Sequence, residues 1–373
     1  MTVRVLQISR SVIDGGFDYH REISQAFSGT DFEVTSVFIR GSMSAERKGG
    51  YSGTVHCLDA RRHRIFKNPL AVMLRLALLG RGRAWDLAIC HHFTPAVTVN
   101  MLRRIRDFRK LYLIVHDFGY FDPADPHGHR RNAFVRESLD PRFQFIGVSR
   151  AIRHNVLETM PFVAEERCLT IHNAIDTQAL DEARLTRSEA REALGIAPDT
   201  FVFGTVGRLV PFKAHRELID AFARAAEGMP GARLLIIGRG ELEQDLQARI
   251  GELGLGERVK LAGFLPDASR YMAAFDVFVL PSHNEPFGLV LLEAMANALP
   301  VIANDTGAVP EILPYDQGLT NATDTGAFAG RLLEFHAMPA TRRQELGVMG
   351  RAHVKRQFSL EQYRNRYRRL WTD

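Results

Sequence analysis

The segment "DVFVLPSHNEPFGLVLLEAMANALPVIAND", residues 276–305, contains a complete strand–helix–strand unit. Its first apolar run, 276–282, is continuous rather than alternating. That pattern suits a strand buried on both faces of a parallel sheet. Proline is tolerated in the first turn of a helix, where its missing N–H costs nothing. Pro286 therefore predicts a helix from about Phe287. A second continuous apolar run, 300–305, follows the helix. Two buried strands joined through a helix form the parallel crossover of an α/β sheet.

Two acids interrupt this segment, Glu285 and Glu293, with seven residues between them. Glu285 falls at the mouth of the expected helix and Glu293 nearly two turns along it. Both can reach one pocket, into which the first amides of the helix, at Phe287, Gly288 and Leu289, also point. A carboxylate beside backbone donors suits sugar hydroxyls, and a second carboxylate further in can grip a ribose diol. The plainer alternative is an acid answering the helix dipole together with a partly buried glutamate.

The same grammar runs along the whole chain. Continuous apolar runs start at Val3, Phe32, Asp86, Leu111, Phe143 and Cys168, and again at Phe201, Arg233, Val259, Asp276 and Pro300. Helical stretches such as 215–229 and 241–254 lie between them. The chain has 373 residues, a length that suits two domains. Two Rossmann-like parallel sheets are expected, with a first domain over 1–175 and a second over 199–355. The polar stretch 176–198 reads as a linker. Residues 356–373 read as a C-terminal helix, with Tyr363, Tyr367 and Trp371 on one face. That face suits docking onto the body of the protein, or, being basic as well as aromatic, a membrane surface.

Open α/β sheets bind ligands at the carboxyl ends of their strands, and several motifs fall there. "TVGRLVPFKAH" puts Arg208 and Lys213 in a loop before a helix, a good setting for a diphosphate. Gly238, Arg239 and Gly240 follow another strand; the glycines either make a turn or leave room for a base or ribose. Gly15 and Gly16 follow the first strand and allow close approach to the backbone. His116 and Asp117 end one strand, and His91 and His92 end another. No spacing of His, Cys or carboxylates suggests a metal.

Composition narrows the class. The chain is 46% hydrophobic and 24% charged, ordinary for a folded protein. The net charge of +5 is uneven: residues 1–170 hold 25 Lys and Arg against 17 Asp and Glu, and residues 171–373 hold 23 against 26. A basic half suggests an anionic partner such as a lipid or phosphorylated glycolipid; no nucleic-acid readout module accompanies it. Cys57, Cys90 and Cys168 fit no disulfide or zinc pattern and read as reduced thiols. No signal peptide or membrane span is read. A cytoplasmic protein is expected, touching the inner face of a membrane at most peripherally.

Across 200–312 the chain resembles the family-4 retaining glycosyltransferases of the GT-B fold. The shared pieces are "GRLVPFK", "LLIIGRGEL", "VKLAGFL", the E-x7-E segment and "TGAVPEIL". Thinner likeness in the first half rests on Gly15-Gly16, "VHD", "FIGVSRAIR" and "IHNAID". The resemblance implies two Rossmann-like domains facing each other across a cleft, the first for the acceptor and the second for a UDP- or GDP-sugar. It implies that Arg208 and Lys213 neutralise the donor diphosphate and that Glu293 holds the ribose. Glu285, with the backbone from Phe287 to Leu289, would hold the donor sugar. His116 would face that sugar near the reacting carbon, Gly15 and Gly16 would approach the diphosphate or acceptor, and Gly238 and Arg239 would line the donor site. It implies no cofactor and no metal, and a role in bacterial envelope polysaccharide or lipopolysaccharide synthesis. The resemblance departs at Ala174 and Ala214, where glycine is usual. A nucleotide-sugar epimerase and a non-catalytic nucleotide-sugar-binding protein are the alternatives. The diphosphate role further predicts that removing Lys213 lowers turnover far more than it alters folding.

Overall fold

A computed structural model of the chain describes residues 2–11, 18–58, 69–79 and 84–372. Gly15 and Gly16 lie outside the described residues. The chain divides into two compact units, Met1–Asn173 with Leu360–Asp373, and Ala174–Ser359. The first unit holds 29 Lys and Arg against 19 Asp and Glu, a net of +10, and the second 19 against 24, a net of −5.

The first unit is built on a seven-stranded parallel sheet of order β3-β2-β1-β4-β5-β6-β7. Its strands are β1 (Val3–Ser11), β2 (Phe32–Arg40), β3 (Thr54–Cys57), β4 (Leu87–His91), β5 (Lys110–Val115), β6 (Phe143–Gly147) and β7 (Cys168–Thr170). The central strands are mainly apolar because both sheet faces are covered: Val5, Ile8, Leu87, Ile89, Leu113 and Phe145 are fully buried.

A six-stranded parallel sheet of order β10-β9-β8-β11-β12-β13 forms the second unit. Its strands are β8 (Val202–Val206), β9 (Arg233–Ile237), β10 (Val259–Gly263), β11 (Val277–Leu280), β12 (Val301–Asn304) and β13 (Leu319–Thr320). Gly204 on β8 is fixed by packing, since a Cβ there would lie 2.3 Å from the ring of Phe275.

Both sheets match the expected Rossmann-like architecture, and every apolar run read as a strand is one. Two edge strands escaped the sequence reading, β3 and β13. β3 has only four residues and is half-exposed along its length, and β13 has two residues. Neither carries the continuous apolar run that marks a buried strand.

The stretch 176–198, expected as a linker, folds into helices Thr177–Ala183 and Arg187–Leu194 of the second unit. Thr186 and Glu189 cap the latter reciprocally, as a capping box does. Arg191 is buried there; it donates to the carbonyls of Ala274, Ala197 and Pro198 and pairs with Asp276 at 2.9 Å. Buried arginine hides in a polar-looking sequence, which explains why the segment reads as solvated.

The C-terminal helix, Leu360–Thr372, packs on helix Tyr19–Ala26 of the first unit. Tyr363 and Tyr367 are buried, with ring centroids 4.8 Å apart. Arg364 pairs with the buried Glu22, and Arg368 donates to the carbonyls of Ala26 and Ser28. The aromatic face is therefore a docking face and not a membrane face. Among the described residues, no helix is long and apolar enough to cross a membrane. Replacing Tyr367 with alanine should lower unfolding free energy by about 3–5 kcal/mol, as for other large buried aromatics, measured by urea denaturation. A loss below about 1 kcal/mol would mean the helix is not part of the core.

Candidate functional site

In the second sheet, chain order reverses between β8 and β11. At such a switch point two adjacent loops leave the carboxyl edge in opposite directions and open a crevice. The loop after β8 contains Arg208 and Lys213, and the loop after β11 contains Glu285. These residues therefore converge because of strand order, although Lys213 and Glu285 lie 72 positions apart.

Each loop is fixed by backbone contacts. After β8, Pro211–Lys213 makes one tight helical turn, and Ala214 then adopts the left-handed conformation at φ 53° to start helix His215–Ala225. That conformation costs an ordinary residue about 1–2 kcal/mol, which a glycine at this position would avoid. Ala174, the other departure, has no positive φ and requires no glycine. The loop after β11 is held from three sides. His283 N–H donates to the Phe212 carbonyl at 2.8 Å, and Asn304 Nδ2 donates to the Ser282 carbonyl at 2.9 Å. Ala308 N–H donates to the Glu285 carbonyl, also at 2.9 Å. Gly307, at φ 57°, permits that last approach, because a Cβ would fall 2.4 Å from the Glu285 carbonyl oxygen.

Lys213 Nζ donates to Glu285 Oε2 at 2.7 Å, and the two side chains are 15% and 8% exposed. Lys213 Nζ and the Arg208 guanidinium carbon lie 5.4 and 5.7 Å from the centroid of the Phe212 ring. Two cations thus flank one ring, and one of them is held by a buried carboxylate.

A pocket of about 770 Å³ opens beside Arg208. Arg208 lines it, along with Val206, Ile237, Arg239, Glu243 and Phe264. Gly238 and Gly240 also line it, but their lack of a Cβ serves loop packing. A Cβ on Gly238 would meet the Gly207 carbonyl oxygen at 1.8 Å, and one on Gly240 the Leu209 carbonyl oxygen at 2.3 Å. Glu243 and Phe264 were given no role from sequence. The signal was available in the exposed-looking Phe264 at a strand's carboxyl end and in the helix that opens after Gly240.

The helix after Glu285 spans Leu289–Ala296, two residues later than expected. Pro286 is not in its first turn. Gly288 is the N-cap, left-handed at φ 88° with no side-chain cap, and this reversal delays the helix. Phe287 is buried against Phe358, with centroids 5.9 Å apart, so its side chain belongs to the core. Glu293 lies on the same helix as the buried Leu291, Leu292, Ala294 and Met295. Burial pushes its carboxyl from the ordinary 4.5 up to about 7.

His116 stands in the first unit within a cluster of imidazoles at the carboxyl ends of β4 and β5. Its ring stacks on His91 at 5.9 Å and lies 5.1 Å from His92 and 5.5 Å from Tyr19. His91 in turn contacts His20 at 3.9 Å. Burial first, and neighbouring imidazoles second, hold His116 and His91 well below the usual imidazole range and His20 at about 3. These rings are neutral near pH 7. His92 has φ 72°, a strained backbone for a non-glycine residue. Among the described residues no group of three or more His, Cys, Asp or Glu is placed to hold a metal ion. Cys90 and Cys168 are free, buried thiols.

Residues 186–348, less than half of the chain, match the family model for glycosyl transferases group 1. The match spans both loops of the Lys213–Glu285 pair. The chain is similar to the GDP-mannose-dependent monoacylated alpha-(1-6)-phosphatidylinositol monomannoside mannosyltransferase of Corynebacterium glutamicum. That likeness is 34% identity over 185 residues, 47% of this chain and 48% of the relative. It is also similar to the lipopolysaccharide core biosynthesis glycosyltransferase LpsE of Rhizobium meliloti, at 32% identity over 48% of this chain and 52% of the relative. The chain thus spans about half the length of these curated relatives. Among solved structures, Anabaena Alr3699/HepE in complex with UDP and glucose superposes with a TM-score of 0.79, covering 99% of each chain at 20% identity. At that identity the likeness shows the fold, which is GT-B.

The burial of the ion pair changes the outcome expected for Lys213. Its removal strands a nearly buried carboxylate, so Lys213→Ala should destabilise the protein by about 2–4 kcal/mol, contrary to the small folding effect the sequence reading predicts. The double change Lys213→Met with Glu285→Gln should recover most of that loss in denaturant titrations; no recovery would show that the pair is not the cause. For Glu293, the folded protein holds its proton more tightly than the unfolded chain. Stability from the neutral form is therefore lost as pH rises from about 4.5 through about 7. Glu293→Gln should match the wild type near pH 4.5 and exceed it by on the order of 2–3 kcal/mol above pH 8. Parallel melting curves for the two proteins across that range would refute the assignment.

Proposed function

We propose that the chain is a retaining glycosyltransferase. It takes a sugar from a nucleotide-diphosphate donor to a glycan or glycolipid acceptor. The observation that carries this reading is the convergence of Arg208, Lys213 and Glu285 at the switch point of the second unit, beside the 770 Å³ pocket. When the bond between the anomeric carbon and the diphosphate breaks, negative charge grows on the leaving group. Arg208 and Lys213 are then better partners for the transition state than for the ground state, and that difference lowers the barrier. The side chains supply the counter-charge, so the reading assigns no metal and no cofactor.

In this reading Glu285 keeps Lys213 in place until a diphosphate shares it, and its second oxygen is left for a sugar hydroxyl. Glu293 takes the ribose, and the Phe287–Leu289 backbone joins Glu285 in holding the donor sugar. Burial holds the Glu293 carboxyl at about 7, and a diol would compensate the buried charge. The first unit offers His116 as a neutral hydrogen-bonding imidazole. Its net charge of +10 favours an anionic or lipid-linked acceptor. The two curated relatives act in phosphatidylinositol mannoside and lipopolysaccharide core synthesis by name, which supports an envelope glycan, made at the cytoplasmic face of a membrane.

The test is to incubate the protein with UDP- and GDP-sugars and candidate acceptors and to read the anomeric configuration of the product by NMR. Arg208→Ala should lower turnover about a hundredfold, with the melting temperature unchanged, because among the described residues Arg208 pairs with no carboxylate. Isomerised donor without acceptor would indicate an epimerase. Tight donor binding without transfer or hydrolysis would indicate a binding protein.

A further inference from the structure

The pocket beside Arg208 carries more polar equipment than a diphosphate needs. Arg239 and Glu243 line it four residues apart. Opposite charges at that spacing on a helix tend to pair. Here Arg239 precedes the helix Glu243–Glu252, and among the described residues neither side chain makes an ion pair. The Arg239 guanidinium carbon instead lies 4.7 Å from the centroid of the Phe264 ring. Phe264 is still 58% exposed, so much of its apolar ring remains accessible at the pocket beside that arginine. Val206 and Ile237 add apolar walls. An open aromatic face, a fork of N–H donors and an unpaired carboxylate therefore share one concave space.

That set matches a planar heterocycle with acceptors on one edge and donors on the next. Guanine has this pattern. Its O6 and N7 accept the two N–H groups of an arginine fork, and its N1–H and amino group donate to the two oxygens of a carboxylate. Uracil has one N–H between two carbonyls, whose oxygens repel a carboxylate. Adenine has an amino group where guanine has O6, so it turns a donor toward the arginine. Phe264 supplies a face for stacking, which every base accepts equally; the discrimination lies with the two charged side chains.

We propose that this pocket selects a guanine nucleotide diphosphate, with Arg239 and Glu243 reading the base. The proposal rests on the nucleotide-diphosphate reading above and adds the identity of the base.

The experiment is calorimetric titration of the full chain with GDP, UDP, ADP and inorganic pyrophosphate, repeated on Glu243→Gln and Arg239→Ala. Both residues are exposed, and a melting curve on each variant checks that it remains folded. GDP should bind at least tenfold more tightly than UDP or ADP. Each variant should weaken GDP about tenfold and leave UDP and pyrophosphate within about twofold. UDP or ADP binding as tightly as GDP, or a GDP preference that survives both substitutions, would overturn the guanine assignment while leaving the diphosphate reading intact. If no nucleotide and no pyrophosphate binds, the diphosphate reading falls, and the base assignment falls with it.

Discussion

A lysine ammonium and a glutamate carboxylate meet at 2.7 Å in a place almost closed to water, and the second unit is arranged so that they can. Burying two charges costs more desolvation than a surface pair would, and their attraction repays it only when the geometry is good. The backbone supplies that geometry. Gly307 and Ala308 clamp the carbonyl of Glu285, Phe212 holds the backbone of His283, and left-handed Ala214 turns the chain after Lys213 into its helix. A pair of this kind adds little net stability compared with apolar residues of the same volume. Its consequence is a cation held in one place by its partner instead of waving in solvent.

Burial works on the other charged groups in the same direction. Glu293 is held near neutrality in its titration because its helix is packed among leucines and alanines. The imidazoles of His20, His91 and His116 are kept uncharged by enclosure and by one another. A sheet whose strands are buried on both faces leaves its carboxyl edge as the place where polar side chains can gather. In the first unit the cluster of His91 and His116 stands at that edge, at the ends of β4 and β5.

Charge is divided as sharply as structure. The C-terminal helix belongs by contact to the first unit and brings four arginines with it, raising that unit to +10 while the second stands at −5. Arg364 and Arg368 are tied to Glu22 and to the end of helix Tyr19–Ala26, so part of this excess is structural. A net charge of that sign attracts anions over distances of about a Debye length, roughly 8 Å at physiological salt.

What the sequence determined by itself was the class of fold and which side chains fall in the loops after its strands. Continuous apolar runs separated by helical periodicity dictate two parallel sheets, because only strands covered on both faces can be apolar at every position. Candidate residues in the loops after strands follow from the same rule, and Arg208, Lys213, Arg239 and Glu285 are visible that way. The sequence could not show strand order, and strand order alone brings Lys213 to Glu285 across 72 residues. Nor could it show that Gly288 delays the helix, that Phe287 turns into the core, that a polar stretch hides the buried Arg191, or that Glu243 and Phe264 share a pocket with Arg239. Those depend on which surfaces end up facing each other. Local propensity carries no record of that; desolvation and close packing decide it only when the chain is folded.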